Sequence, residues 1–376
     1  MLPARSKADF LHDEFLVRTE GEPMFSSFTS NAILAKSRAM YGRRLLEQNY
    51  LDLLNCHSVG EVASYLKTRT FYSEVFEGIA TSAIHRGRLE ELLRKRLLKQ
   101  YASLCRYEMS IGQDFYKYFI TKNDITQILN CVRLLNTGHS ADYLFSMPAF
   151  FNEHTELDLF KLASITSFAE LLDALDGTEY KKVLAPFENE AKTSRSTLDI
   201  EAALYNYFYT QLWQLAKKEF SGKRRKGMLD VLRIQVDMRT IVNLYRLKKM
   251  LNADEELLRK FIIPGISNLS DKQMTMLIDA PTAPDLLKSL ERTPYAKQLK
   301  KIDYDLKKDY IEVATHRILN NWSKKFFRFS TDPTVVMFCY ISLAENEIEN
   351  ITHIIEGIRY TVPADKIKTM LIGAGI

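Results

Sequence analysis

One pattern of apolar and polar positions occurs three times along the chain. Each copy spans ten residues, begins with Asp or Asn, carries apolar side chains at offsets of one, four, five and eight residues, and ends with Arg. The copies are Asp124–Arg133, Asp237–Arg246 and Asn350–Arg359, and successive copies begin 113 residues apart. Offsets of this kind place the apolar side chains on one side of a helix. The pattern therefore predicts three homologous amphipathic helices, each buried along one stripe.

A second motif recurs in the same order along the chain. It starts with Ser or Thr followed three residues later by an acidic residue, which is the pattern of a capping box at a helix start. It ends with Thr and, two positions on, Tyr, and here we expect Thr to cap a second helix. The first parts begin at Ser58, Ser167 and Thr282, and the last parts are Thr70–Tyr72, Thr178–Tyr180 and Thr293–Tyr295.

Two motifs that recur in the same order predict triplication of one helical unit. We expect an all-α protein of three homologous repeats of about 113 residues, a length that is ordinary for a domain. The predicted division is an N-terminal tail at 1–27, repeat 1 at 28–142, repeat 2 at 143–262, and repeat 3 with a C-terminal helix at 263–376. In repeat 1, Gly138 predicts the end of the Asp124 helix.

Further helices are predicted between the motifs, at 31–46 and at about 84–119, 198–220 and 305–329. The 84–119 helix carries a cationic surface formed by Arg86, Arg88, Arg94, Lys95, Arg96 and Lys99. A basic helix can meet acidic partners or lipid headgroups, and a solvated face is the ordinary alternative. The run Lys223–Lys226 is expected in an exposed turn after Ser221 and Gly222, with specific nucleic-acid binding the weaker interpretation.

Composition and charge exclude some classes of protein. The 376 residues are 46% hydrophobic and 26% charged, which is ordinary for a globular chain. The net charge of +5 is spread along the sequence, so nucleic acid is not indicated as a partner. The longest apolar run, Val335–Ala344, is about half of what a membrane-spanning helix needs. We therefore expect no direct membrane insertion, and residues 1–15 show no apolar segment typical of a signal peptide.

The search for catalytic chemistry finds little. The four cysteines and seven histidines show no metal-ligand spacing, and there is no phosphate-binding glycine motif. Cys56 and His57 are adjacent, but neighbours on a helix point in different directions. We expect a non-catalytic protein without a catalytic site, metal site or cofactor. An enzyme that uses Cys56 and His57, or His316, stays open as an alternative.

The residues together resemble a known family, the C subunit of archaeal-type and bacterial V-type rotary ATPases, equivalent to the eukaryotic d subunit. The resemblance extends from Ala32 to the end of the chain. It rests on the triplicated order of motifs, the three Asp/Asn-to-Arg helices, and three further segments: Asn31–Met40, Leu45–Leu46 and Ile262–Gly265.

This resemblance implies a funnel-shaped, all-α protein with three helical units around a pseudo-threefold axis. Such a protein is a non-catalytic central-stalk component of the rotor, a socket between the central shaft subunits and the membrane proteolipid ring. It transmits torque between ATP turnover and proton or sodium transport. The resemblance places it on the cytoplasmic face of the membrane as a peripheral part of the complex, and not as an obligate homo-oligomer. A general α-helical scaffold is the alternative from another class.

The repeated arginines Arg133, Arg246 and Arg359 are the candidate partner-binding residues. The hypothesis is that they lie near the axis and contact a partner. The alternative is that they flank three packing helices with their side chains along the protein surface.

Overall fold

The computed structural model describes residues 24–82, 84–106, 114–152, 154–188, 194–301 and 311–375. Helix makes up 77% of the structure, and the described residues contain no strand. The prediction of an all-α protein is therefore confirmed.

The α-helices of the described ranges are named here in chain order. They are α1 (Met24–Gly42), α2 (Glu47–Leu54), α3 (Val59–Arg69), α4 (Arg86–Cys105), α5 (Tyr118–Thr137), α6 (Tyr143–Ser146), α7 (Leu159–Leu162), α8 (Phe168–Ala174), α9 (Glu179–Leu184), α10 (Ser194–Glu219), α11 (Gly222–Leu251), α12 (Glu255–Lys260), α13 (Asp271–Asp279), α14 (Ala283–Ser289), α15 (Ala296–Lys301), α16 (Ile311–Phe329), α17 (Pro333–Arg359) and α18 (Ala364–Met370). Short 3₁₀ helices, among them Ser73–Phe76 and Phe115–Lys117, connect some of them.

The chain divides into two compact units. The described residues of the middle unit lie within Gly112–Ala296, and those of the terminal unit lie within Thr19–Ile111 and Lys297–Ile376. This division follows compactness, and the division into three repeats stays a prediction.

In the middle unit, α10 is the central helix. It packs against α5, α9 and α11, and α11 packs in turn against α14. Aromatic side chains fill these contacts: the rings of Tyr180 and Tyr207 are 6.1 Å apart and those of Phe115 and Phe220 are 5.1 Å apart. Such ring pairs add specific packing to the area that they bury.

In the terminal unit, α17 is the central helix. It packs against α16, α1, α4 and α18. Because helices cover it on several sides, all seven residues from Val335 to Ile341 are buried. The longest apolar run of the sequence is therefore the middle of this unit's core.

The predicted apolar stripes are confirmed in α5, α11 and α17. Nine of the twelve stripe residues are buried, and Val242, Tyr245 and Ile358 are partly buried. The predicted end of α5 is also confirmed: Gly138 is its C-cap and takes the left-handed conformation, with φ of 74°. Glycine adopts that conformation without a steric penalty.

The predicted capping boxes start helices α3, α8 and α14. Ser58, Ser167 and Thr282 each accept a hydrogen bond from the backbone N–H three residues later, at 3.1, 3.2 and 3.3 Å. In the first copy the carboxylate of Glu61 in turn accepts the backbone N–H of His57, one residue before the cap, at 2.8 Å. These side chains satisfy amides that the first turn of a helix leaves free.

The predicted helix at about 84–119 is not continuous among the described residues, and its part at 107–113 lies outside them. Helix α4 ends at Cys105, and α5 begins at Tyr118 after the 3₁₀ helix Phe115–Lys117. The aromatic residues near 115–119 continue the apolar pattern but not the helix. Phe115 packs on Phe220 instead, in the core of the middle unit.

The basic run Lys223–Lys226 is helical, which corrects the prediction of an exposed turn. It forms the first turns of α11, where Ser221 takes the extended N-cap backbone conformation. Arg and Lys are good helix formers, and the Arg225 guanidinium also donates to the carbonyl of Phe220 at 2.6 Å. These two effects extend the helix back through the cationic run.

The first and last helices end earlier than predicted. Helix α1 begins inside the predicted tail at Met24 and stops at Gly42, short of the predicted end at residue 46; residues 1–23 lie outside the described ranges. Helix α18 stops at Met370, and residues 371–375 are not helical. Beyond each of these ends a backbone N–H group donates to a side chain of α17: Leu45 to Glu347 and Ile372 to Asn350.

Candidate functional site: acid–tyrosine contacts of the repeated helices

Asp124, the first residue of the first copy of the repeated ten-residue pattern, is buried, with 2% of its surface exposed. Its carboxylate in α5 accepts hydrogen bonds from the hydroxyl groups of Thr155 and Tyr180, the second at 3.2 Å. Thr155 also accepts the N–H of Leu157 at 3.0 Å, which fixes the chain that leads into α7. A residue of one motif therefore contacts the tyrosine of the other motif, 56 positions later.

Asp237 in α11 makes the same contact in the second copy. It is completely buried and accepts hydrogen bonds from the hydroxyl groups of Ser267 and Tyr295. The backbone N–H of Asn268 donates a third bond, at 2.9 Å. As in the first copy, the acid contacts both the segment before a helix start and the tyrosine of the second motif. A hydrogen bond of this kind, from a tyrosine hydroxyl to a carboxylate of the repeated helices, is called an acid–tyrosine contact below.

The third copy departs from this arrangement at its first residue. Asn350 in α17 is also completely buried, but its amide forms two hydrogen bonds with the backbone of Ile372. Its Nδ2 donates to the carbonyl of Ile372 at 2.9 Å, and its Oδ1 accepts the N–H of the same residue at 2.8 Å. An amide can donate and accept at once, as this pairing requires. Asn350 therefore holds the C-terminal segment.

Glu347, one helical turn before Asn350, provides the acid of the third copy. The hydroxyl of Tyr72 donates to its Oε1 at 2.6 Å, and the backbone N–H of Leu45 donates to its Oε2 at 2.8 Å. Residues three apart on a helix lie on the same side, so the carboxylate faces the same direction as the side chain of Asn350. An acid–tyrosine contact is therefore present for all three copies of the repeated helix.

The threonine of the second motif positions the tyrosine, which corrects the prediction that it caps a second helix. Thr178 stands at the N-cap position of α9 but makes no side-chain cap bond. Instead, the hydroxyl groups of Thr70, Thr178 and Thr293 donate to the preceding carbonyls of Leu66, Leu175 and Leu290, at 2.6, 2.7 and 2.6 Å. In the first and third copies the hydroxyl also accepts the N–H of the tyrosine two residues later.

Burial changes the acid–base properties of these contacts. It raises the pKa of Asp124 to about 7, against hydrogen bonds from Thr155 and Tyr180 that lower it. Burial likewise raises the pKa values of Asp237 and Glu347 above the ordinary range. The pKa values of Tyr72, Tyr180 and Tyr295 are raised for the same reason, so these hydroxyl groups keep their protons and act as donors.

The three repeated arginines lie on the exposed sides of α5, α11 and α17. The guanidinium of Arg133, 56% exposed, lies 3.5 Å from the carboxylate of Glu201 in α10, which also pairs with Arg239 at 2.8 Å. Arg359 lies 3.4 Å from Glu356, one turn earlier. Their contact with a partner stays a prediction.

The residues of the enzyme alternative are dispersed. Cys56 is partly buried at the end of α2, and burial raises the pKa of its thiol, which disfavours the nucleophilic thiolate. His316 lies 3.8 Å from Glu349 across α16 and α17. Among the described residues, no group of three or more His, Cys, Asp and Glu side chains is arranged to hold a metal ion. In the same ranges, no helix is both long and apolar enough to cross a bilayer.

The acids of the repeated helices are the residues that sequence reasoning missed. A signal for two of them was present, since Asp124 and Asp237 open apolar stripes at equivalent positions. Glu347 gave no such signal, because it has no equivalent in the other two copies.

The fold and the recurring acid–tyrosine contacts define the class of the protein. It is all-helical among the described residues, and hydrogen bonds within the chain hold its packed helices. The family model described as ATP synthase (C/AC39) subunit matches residues 33–370, which is most of the chain. The chain therefore belongs to this family. Family membership also confirms the prediction of a non-catalytic component over that of an enzyme.

Curated relatives, each named as the C subunit of an A-type ATP synthase, resemble the chain over most of its length. The protein of Archaeoglobus fulgidus is 22% identical over 349 residues, which cover 90% of this chain and 95% of the relative. That of Methanosarcina mazei is 24% identical over 351 residues, covering 90% and 91%. That of Pyrococcus abyssi is 23% identical over 342 residues, covering 90% and 88%.

Proposed function

We propose that this chain is the rotor socket of an A-type ATP synthase, a non-catalytic central-stalk component between the central shaft subunits and the membrane proteolipid ring. In this position it transmits torque between ATP turnover and proton or sodium transport. The observation that carries the proposal is the family match over residues 33–370, together with archaeal relatives named as the C subunit of an A-type ATP synthase.

The proposed architecture is a funnel of three repeats of about 113 residues around a pseudo-threefold axis. The order of the acid–tyrosine contacts supports it. The first copy's acid binds the second copy's tyrosine, Tyr180, and the second copy's acid binds Tyr295 of the third. The third copy's acid binds Tyr72 of the first. A closed arrangement of three repeats would account for this cyclic order, because a contact from the third repeat to the first is not expected in an open row.

The contacts suit a part that must transmit torque with little deformation. A buried donor or acceptor that loses its partner costs about 1–3 kcal/mol, and more when the group is charged. Each acid–tyrosine contact also joins two distant segments of the chain, so a deformation that separated them would meet this cost at once. In the proposed function, the contacts make the socket stiff.

The proposed location is the cytoplasmic face of the membrane, where the chain is a peripheral part of the complex and needs no second copy of itself. Its proposed partners are the shaft subunits and the proteolipid ring. We propose that Arg133, Arg246 and Arg359 lie near the axis and contact one of them. Their exposure supports this role, since a carboxylate of another chain can reach an exposed guanidinium group.

The arginine proposal is tested by changing all three residues to Glu. We expect weaker binding to the shaft or ring, with the melting temperature of the isolated chain changed by only a few degrees. The matched control changes three exposed cations outside the repeated helices, Arg69, Lys272 and Lys297, to Glu. Normal assembly and normal coupled transport with the triple arginine variant would refute the role.

The socket proposal is tested by recovering the tagged chain from its native membranes in mild detergent and identifying every stoichiometric partner. Co-recovery of a shaft subunit and of a small, very hydrophobic ring protein is the expected result. Recovery of the chain alone, with no binding to purified shaft or ring, would overturn the proposal and favour a general scaffold. Turnover lost on substitution of Cys56 and His57, without loss of stability, would instead favour an enzyme.

A further inference from the structure

A cleft with a volume of 670 Å³ opens on the terminal unit. One wall is a face of α4, and the opposite wall is formed by the end of α1 and by the segment from Glu74 to Ile79, which includes most of the 3₁₀ helix Ser73–Phe76. All of its lining residues belong to the terminal unit, so the cleft is complete within that unit.

The α4 wall carries four cations. Arg88, Lys95, Arg96 and Lys99 line the cleft from this helix, and Arg43 joins them from the residue after α1. From Arg88 to Lys99 the line of positive charge is roughly 17 Å long, at a rise of about 1.5 Å per residue. Two carboxylates, Glu74 and Glu77, line the same cleft. Five cations against two acids leave an excess of positive charge.

Part of this charge is held in place and part is free. Arg96 is fixed, because it pairs with Glu74 at 3.2 Å, donates to the carbonyl of Phe71 and lies over the ring of Tyr72. Lys95 and Lys99 are exposed, and within the described ranges neither has an ion-pair partner. The cleft therefore offers two uncommitted ammonium groups, one helical turn apart, beside a fixed guanidinium.

Four apolar residues also line the cleft, and they are called its apolar floor below. They are Met40, Val75, Ile79 and Leu92; Leu92 is buried and the others are partly buried. A small inorganic anion would pair with the cations but leave this floor in water. A flat lipid surface would contact the exposed ends of the cations and not a concave floor. An occupant that uses both features has carboxylates on one side and apolar side chains on the other.

We propose that this cleft docks an acidic amphipathic helix of a protein partner. Carboxylates on that helix pair with Lys95 and Lys99, and apolar side chains one turn apart lie against the floor. Helices recognised in this way place their apolar anchors three to four residues apart. The inference goes beyond the socket proposal and does not rest on it, because it follows from the charge and shape of the terminal unit alone.

The test measures binding of a labelled twenty-residue helical peptide, with Glu on one face and Leu on the other, to the full chain by fluorescence anisotropy. Changing both Lys95 and Lys99 to Gln is expected to weaken binding roughly three- to tenfold, since exposed ion pairs are individually weak. The matched control changes Arg94 and Arg106 to Gln. These cations are exposed, lie on or next to α4 and do not line the cleft, so binding should be unchanged.

Three further probes separate the occupants. A peptide with Gln in place of Leu should bind more weakly than the parent, because it leaves the apolar floor in water. The other two probes are phosphatidylglycerol vesicles and, separately, inorganic phosphate. Changing Lys95 and Lys99 to Gln should not alter the binding of either. The proposal is overturned by equal weakening in both double variants, by no binding of the parent peptide, or by vesicle binding that needs these two lysines while peptide binding does not.

Discussion

The middle and terminal units make the same contact with differently placed acids. In the middle unit, the first residue of each copy of the repeated pattern, Asp124 or Asp237, accepts the tyrosine hydroxyl. In the terminal unit, Asn350 holds that position and binds the backbone of Ile372, while Glu347 accepts the hydroxyl of Tyr72. The acid has moved by one helical turn and has become longer by one methylene group.

This difference shows that the contact is retained while the residue that makes it is not. Three residues displace a side chain by about 4.5 Å along the helix and keep it on nearly the same side. The vacated position then does different work, because Asn350 pairs through its amide with the backbone of Ile372 in the C-terminal segment. The four predictions that follow test how far the two units are equivalent.

The largest expected effect is that of changing Asp237 to Ala. The change removes the acceptor of the hydroxyl groups of Ser267 and Tyr295 and of the N–H of Asn268. Of these donors, the hydroxyl of Tyr295 belongs to a buried residue. The free energy of unfolding should fall by about 3–5 kcal/mol, measured by urea denaturation. Asp173 is exposed in the same unit, and its change to Ala is the control. A similar loss in both variants would contradict the role of the contact.

The second-largest expected effect is that of changing Asn350, which stands in the terminal unit where the other two copies have Asp. Changing Asn350 to Asp puts a carboxylate oxygen against the carbonyl of Ile372, and the free energy of unfolding should fall by about 2–4 kcal/mol at pH 8. The loss should shrink at pH 5, since the introduced carboxyl group can then hold a proton and donate it. Changing the exposed Asn321 to Asp is the control. A loss independent of pH would mean that geometry, not charge, decides this position.

The third prediction concerns pH. Burial raises the pKa of Asp124 from 3.8 to about 7, so the folded chain keeps a proton there over a range in which the unfolded chain has released it. The free energy of unfolding should therefore fall as the pH rises from about 4 to about 7, and then level off. Between pH 5 and 7 the parent should lose about 2 kcal/mol more than the Asp124→Asn variant, measured by urea denaturation. Parallel pH profiles would refute the raised pKa.

The smallest expected effect is that of Arg133. Its guanidinium is mostly exposed and lies 3.5 Å from Glu201, so changing Arg133 to Ala should lower the free energy of unfolding by less than about 1 kcal/mol. Thermal denaturation of the isolated chain measures this loss. A loss of several kcal/mol would make the residue a structural one and remove the reason to assign it to a partner.

Much of the local structure was predictable because its causes lie within a few residues. Ser58, Ser167 and Thr282 cap helices as their sequence pattern indicates, since donor and acceptor are three residues apart. The stripes of α5, α11 and α17 are buried as their periodicity indicates. The basic run after Ser221 was misplaced for the opposite reason, because charge alone suggested a turn while helix propensity decided for a helix.

The acid–tyrosine contacts were beyond local reasoning. Asp237 and Tyr295 are 58 residues apart, and Tyr72 and Glu347 are 275 apart. The sequence repeated the threonine and tyrosine of the second motif three times but did not indicate their partner. The sequence pattern suggested that this threonine caps the following helix, which was wrong. Its hydroxyl donates instead to a carbonyl of the preceding segment.

The sequence by itself determined the helical class, the buried stripes and the family, because periodicity, caps and motif order are properties of neighbouring residues. The tertiary structure alone decided which acid receives each tyrosine, that Asn350 holds the C-terminal segment, and that the cations of α4 line a cleft with an apolar floor. These depend on segments far apart in the chain, and burial, which sets their strength and their pKa values, exists only after the segments have packed.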